Sequence, residues 1–147
     1  MIYILYGQPG SGKTTLSQML CTHIHHQPTG NEAVVIDGDK FREIFKQTDY
    51  SKKGRENNIR AANTVATYIN NVNNVDVILA LVNPYERLRA ELRANNSQVV
   101  EILLESDRDL RREYHVKDFE IGEPDHIVNT DSLPDDTWSL LRDLLEL

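Results

Sequence analysis

An apolar run, MIYILY, is followed at once by GQPGSGKTT, Gly7 to Thr15, and then by a segment with helical spacing. GQPGSGKT fits G-x-x-x-x-G-K-[ST] through Gly7, Gly12, Lys13 and Thr14. On the order of one chain in two hundred of this length would carry that pattern by chance. Its position between a strand and a helix is the context its mechanism requires. Glycines let consecutive N–H groups converge on phosphate oxygens, and the helix that follows adds its positive end. Gly7, Gly10, Ser11, Gly12, Lys13, Thr14 and Thr15 are therefore expected to hold ATP. Lys13 would reach the β- and γ-phosphates, and the Thr14 hydroxyl would ligate Mg²⁺.

Around this loop the chain alternates strand and helix. Apolar runs at 2–6, 33–36, 75–82 and 99–104, with a weaker one at 126–129, predict five strands. Helices are expected over 13–26, 39–46, 55–68, from Pro84 to about 94, over 107–114 and after Pro134. Strands that are apolar throughout are buried on both faces, as in parallel sheets built from βαβ units. The expectation is a three-layer α/β P-loop NTPase fold, with a five-stranded parallel sheet covered by helices on both faces. Ligands in such sheets bind beyond the carboxyl ends of the strands. Four of those ends are Gly7 onward, Asp37 to Asp39, Asn83 to Tyr85 and Glu105 onward.

At 147 residues the chain reads as one domain, 1–147, with no repeats or linkers. No apolar run approaches the roughly 18 residues needed to cross a bilayer, and no export signal is visible. The lone Cys21 excludes an internal disulfide and suits a reducing interior, so a cytoplasmic location is expected. A net charge of −7 argues against nonspecific duplex nucleic-acid binding. Lys52, Lys53, Arg55 and Arg60 form one basic cluster and Arg87, Arg89 and Arg93 another, read for the most part as solvated helix faces. His23, His25 and His26 lie at a helix end, where they suit its negative pole better than a zinc site.

VVIDGDKFR places Asp37 and Asp39 at a strand end, where carboxylates can hold metal waters or accept a proton from an attacking hydroxyl. Asp39 could also cap the helix that begins at Lys40. DGDKFR, YSKKGRENNIR and NPYERLR, in this order, resemble the motifs of the adenylylsulfate kinases from Met1 to about Leu104. The resemblance implies transfer of phosphate from ATP to the 3′-hydroxyl of adenylylsulfate, a step of sulfate assimilation, in a homodimeric enzyme. It implies Asp39 and Lys13 as catalytic residues and Thr14 with Asp39 at the metal. Asp37, Arg42, Arg55 and Asn58 would hold the small-molecule nucleotide substrate, with Tyr50 stacked on its adenine and Val82 and Asn83 lining the pocket. A bidentate guanidinium suits phosphate or sulfate on physical grounds as well.

Two departures stand out. Asn83 occupies the place of a family serine sometimes assigned a phosphoserine intermediate, so transfer is expected to be direct and in line. The long basic lid of the family is shortened to DRDLRREYHVKDFEIGEPD, with Lys117 and Phe119 as its surviving lysine and aromatic. A shorter lid would also admit a larger hydroxyl acceptor, such as a nucleoside, a sugar or a modified polynucleotide. The third alternative is a nucleotide-binding module without transfer chemistry.

Overall fold

The alternating pattern folds as parallel βαβ units, and a computed structural model of the chain describes residues 1–108 and 112–147. Among the described residues, β1 (Ile2–Tyr6), β2 (Ala33–Asp37), β3 (Asp76–Ala80), β4 (Val99–Glu105) and β5 (His126–Asn129) form one parallel sheet in the order β2-β3-β1-β4-β5. The central β1 explains its own apolar run. Ile2, Ile4 and Tyr6 enter one core, and Tyr3 and Leu5 enter the other. Helices α3 (Lys52–Asn73) and α4 (Glu86–Ala94) close the first core with Ile59, Ala62, Ala66, Leu88 and Leu92. Helices α1 (Lys13–His25) and α5 (Pro134–Leu144) close the second with Leu16, Leu20, Ile24 and Leu141. The short α2 (Gly38–Ile44) follows β2 directly.

Several element boundaries differ from the expectation, each for a local reason. Helix α3 continues through the asparagines to Asn73. Asn70 turns its amide to the backbone carbonyls of Met1 and Val75, so it is bonded rather than helix-breaking. The helix ends where Asn74 adopts the left-handed conformation, φ 55°. Helix α4 starts at Glu86 rather than Pro84, because Asn83 is itself left-handed (φ 50°) and the Pro84 carbonyl is taken by the Glu120 N–H at 2.7 Å. Strand β3 is correspondingly shorter than the apolar run. Of the helix expected over 107–114, residues 109–111 lie outside the described residues, and Arg112–Tyr114 form a single 3-10 turn.

Candidate active site

At the carboxyl end of β1 the chain turns into the glycine-rich loop. A Cβ on Gly7 would sit 2.5 Å from the Leu104 carbonyl oxygen, so only glycine allows β1 and β4 to approach this closely here. Gly10 and Gly12 hold positive φ of 83° and 93°, a conformation that costs glycine little. Helix α1 follows Gly12, which supplies no side-chain cap, and the first-turn N–H groups of a helix have no acceptor within the helix itself. The loop's carbonyls are held instead. Lys13 Nζ donates to Gly7 O at 3.0 Å, Gln8 O at 2.9 Å and Ser11 Oγ at 3.3 Å. Thr130 Oγ1 donates to Ser11 O, and Arg108 Nη2 to Gly10 O. With its carbonyls tied back, the loop is shaped for an anion.

Asp37 rather than Asp39 caps α2. Its Oδ1 accepts from the N–H of Asp39 and Lys40, and its Oδ2 accepts from Thr14 Oγ1 at 2.8 Å. The capping alternative for Asp39 therefore falls. Asp39 lies exposed in the first turn of α2, and its carboxylate has no hydrogen-bond partner among the described residues. Thr14, Asp37 and Asp39 thus present oxygen donors on one wall of a cleft.

That cleft, of about 850 Å³, is lined by Gly10, Gly12, Lys13, Thr14, Thr15, Asp37, Asp39, Arg42, Tyr50, Arg55, Asn58, Val82 and Asn83. Residues from three strand ends and three helices, far apart in the chain, meet here. The Arg42 guanidinium lies 4.2 Å over the Tyr50 ring and donates to Asp49 O. Arg55 donates to the Tyr85 hydroxyl and to Tyr50 O, and pairs with Asp118 at 3.5 Å. Asn58 and Asn83 are buried, and Asn58 Oδ1 and both amide atoms of Asn83 lack hydrogen-bond partners among the described residues. Unpaired buried amides are costly unless something else satisfies them, and here both residues line the cleft.

A second hollow of about 640 Å³ lies across the glycine-rich loop, lined by Ser11, Arg108, Arg112, His115, Lys117, Phe119 and Asn129 among others. Lys117 and Phe119 were expected beside the substrate of the first cleft; they line this second hollow instead. The Phe119 ring stacks on Tyr6, 6.1 Å between centroids, because the short segment leaves it within reach of the core. Gly7 lines neither space. Tyr114 and Val116 line the first cleft, and no local pattern in the sequence marks them.

The basic cluster on α4 also differs from a solvated face. Arg89 is 1% exposed and lies 4.1 Å over the Tyr6 ring. It donates to Glu101 Oε1, to Asn83 O at 2.7 Å and to the carbonyls of Glu120 and Ile121. Arg93 bonds Glu101 and Asp125. Arg60 and Arg87 do face solvent, paired with Glu91 and Glu56. Burial pushes the Tyr6 hydroxyl up to about 12, with the Arg89 charge opposing the rise and Glu101, Glu86 and Asp125 adding to it, and the hydroxyl donates to Ile121 O. The histidines are engaged locally: His25 Nε2 accepts from Ala33 N–H, and His23 meets Trp138 edge-on. Among the described residues no helix is long and apolar enough to cross a membrane.

Comparison with known proteins agrees with this geometry. The family model described as adenylylsulphate kinase matches residues 1–120. The adenylyl-sulfate kinase of Chloroflexus aurantiacus is 33% identical over 112 residues, which cover 76% of this chain and 59% of the relative. The chain spans about three-fifths of the length of the curated relatives it matches. A solved structure of the Mycobacterium tuberculosis APS kinase in complex with AMPPNP and APS superposes with a TM-score of 0.82 at 20% identity, covering 99% of this chain and 97% of that one. The hexameric APS kinase of Thiobacillus denitrificans superposes at 0.76 with 26% identity, over 99% of this chain and 28% of that one. With the motif order, the parallel sheet and the matched length in agreement, the chain belongs to the adenylylsulphate kinase family.

Proposed function

We propose that this chain transfers the γ-phosphoryl group of ATP to the 3′-hydroxyl of adenylylsulfate, the reaction named for its relatives. One observation carries the reading. The glycine-rich loop, the Asp37–Asp39 pair and the buried Asn58 and Asn83, whose Oδ1 atoms have no hydrogen-bond partner among the described residues, line one cleft together with Arg42 and Arg55. Family membership and the adenylylsulfate bound in a structural relative support the choice of acceptor.

In this reading the donor's phosphates lie along the loop, with its base in the second hollow and its γ-phosphate turned to the first cleft. Lys13 neutralises charge on the transferring group, and Asp39 takes the proton of the acceptor hydroxyl as oxygen attacks phosphorus. The new O–P bond forms as the bond to the β-phosphate oxygen breaks. Asn83 cannot carry a phosphoryl group, so transfer is direct. Arg42 and Arg55 hold the acceptor's phosphosulfate, Asp37, Asn58, Asn83 and the Val82 backbone surround it, and Tyr50 stacks on its purine. Thr14, Asp37 and Asp39 form an oxygen-only set that suits a hard divalent cation. Mg²⁺ there would neutralise charge between the β- and γ-phosphates. We also propose a homodimer in solution, on the family resemblance, to be tested by sedimentation.

The test is ATP turnover with and without micromolar adenylylsulfate. Saturable, adenylylsulfate-dependent turnover supports the reading. ATP consumption indifferent to it would discard this acceptor. The exposed rings of Tyr50 and Tyr114 at the cleft would then direct the search to larger hydroxyl acceptors such as nucleosides, sugars or modified polynucleotides.

A further inference from the structure

Gln8 occupies a position of the glycine-rich loop where phosphate binding itself demands no particular side chain. Its carboxamide is nevertheless committed. Gln8 Nε2 donates to Val116 O at 2.9 Å, and Gln8 Oε1 accepts from Val116 N–H at 2.8 Å. Both groups of one peptide residue are satisfied by one side chain across 108 positions of sequence. The amide therefore acts as one more rung of a strand, laid between the loop and the segment that replaces the family's long lid.

The place of this bridge gives it consequence. Pro9, Gly10 and Val116 line both the cleft and the second hollow. They form the boundary across which a phosphoryl group passes if donor and acceptor occupy the two spaces. Gln8 joins the two sides of that boundary, and its backbone carbonyl also accepts from Lys13 Nζ. Downstream of Val116 the segment is anchored independently: Asp118 to Arg55, Phe119 on Tyr6, and Glu120 to Pro84 and Arg89. Upstream of Val116 the Arg108 guanidinium also bonds the Gly10 carbonyl, so Gln8 and Arg108 both join this segment to the loop, and Gln8 is the one that holds Val116 itself.

The geometry points to Gln8 as a positioning residue, which sets the gap between loop and strap so that the phosphoryl group reaches the acceptor hydroxyl rather than water. The inference rests on the donor and acceptor assignment proposed above. It deepens that assignment by explaining how a short strap does the work of a long lid.

Two readouts test it, one independent of the acceptor. The first is hydrogen–deuterium exchange at the Val116 amide, and the second is the ratio of adenylylsulfate-independent ATP hydrolysis to transfer. In Gln8→Leu, which keeps bulk and removes both bonds, the Val116 amide should exchange about tenfold faster or more. The hydrolysis-to-transfer ratio should rise by about tenfold, with exchange in β1 and β4 unchanged. Gln8→Glu keeps the acceptor and loses the donor, so it should fall between wild type and Gln8→Leu in both readouts; it also serves if Gln8→Leu fails to fold. Unchanged exchange at Val116 would overturn the bridge. Faster exchange with an unchanged ratio would overturn its positioning role. A wild-type chain with no adenylylsulfate-dependent turnover would bring down the acceptor assignment and this inference with it. The exchange data would still report separately whether Gln8 holds the strap.

Discussion

Asp39 and Asp37 stand two residues apart and do different work because their surroundings differ. Asp37 spends both carboxylate oxygens on the α2 cap and on Thr14, so it holds the loop, the helix and the Thr14 hydroxyl in register. Asp39 has no such bonds, and its carboxylate is available to a hydroxyl. Asp39→Asn keeps the volume and removes the carboxylate proposed as the base. It should lower kcat by about 10²- to 10⁴-fold while leaving ATP affinity unchanged, as read by steady-state kinetics and nucleotide titration. Normal turnover by that variant would remove Asp39 from its role. Much of this scale was legible in the sequence, since the loop, the paired aspartates, Arg42, Arg55 and Asn58 all come to one cleft. Which aspartate caps was not legible, because either could reach a helix N-terminus and the Thr14 contact comes from another element.

At the scale of elements, α4 is tied to β4 and to the strap through one buried guanidinium. Arg89 joins Glu101, the Asn83 turn, Glu120 and Ile121. Removing one partner of a buried ion pair costs about 3–5 kcal/mol where the other is left unpaired; Glu101 keeps Arg93, but its Oε1 and the Asn83 carbonyl lose the Arg89 donor. Arg89→Met should therefore destabilise the fold by about that amount in chemical denaturation. It should also raise KM for the acceptor more than for ATP, because the Asn83 carbonyl loses its donor. Equal changes in both KM values would argue against that path. Arg89 read as surface charge because Arg87, Arg89 and Arg93 look alike along the chain. What separates them is Glu101 on β4 and the Tyr6 ring beneath, neither visible in α4 itself. Helix α3 shows the same limit: the sequence predicts its end at Tyr68, whereas it runs on to Asn73, with Asn70 bonding the Met1 and Val75 carbonyls of other elements.

For the whole molecule, the strand alternation gave a legible sheet, since only a doubly covered parallel sheet buries runs such as VDVILALV and VVEILL on both sides. The strap was less legible, because the anchors of Phe119 and Val116 lie on β1 and the loop rather than nearby in sequence. Acid stability belongs to this scale too. Burial raises the Asp125 carboxyl, but the Glu101 N–H and Arg93 outweigh it and hold Asp125 below its ordinary 3.8. Hydrogen bonds from Ser51 lower Asp49, and those from Ser106 and the Asp107 N–H lower Asp131. Carboxyls depressed in the folded state stabilise it above their ordinary value, and the contribution is lost as pH falls through their folded values. Tm should thus hold from neutral pH to about 5 and fall below about 4. Asp125→Asn should lower Tm at neutral pH and flatten the acid limb. The most direct test of the account is identification of the product by mass spectrometry and ³¹P NMR after incubation with Mg-ATP and adenylylsulfate. The account predicts one ADP for each adenylylsulfate converted, with a single new phosphate monoester at the 3′-oxygen. Formation of ADP and inorganic phosphate with adenylylsulfate unaltered would contradict it.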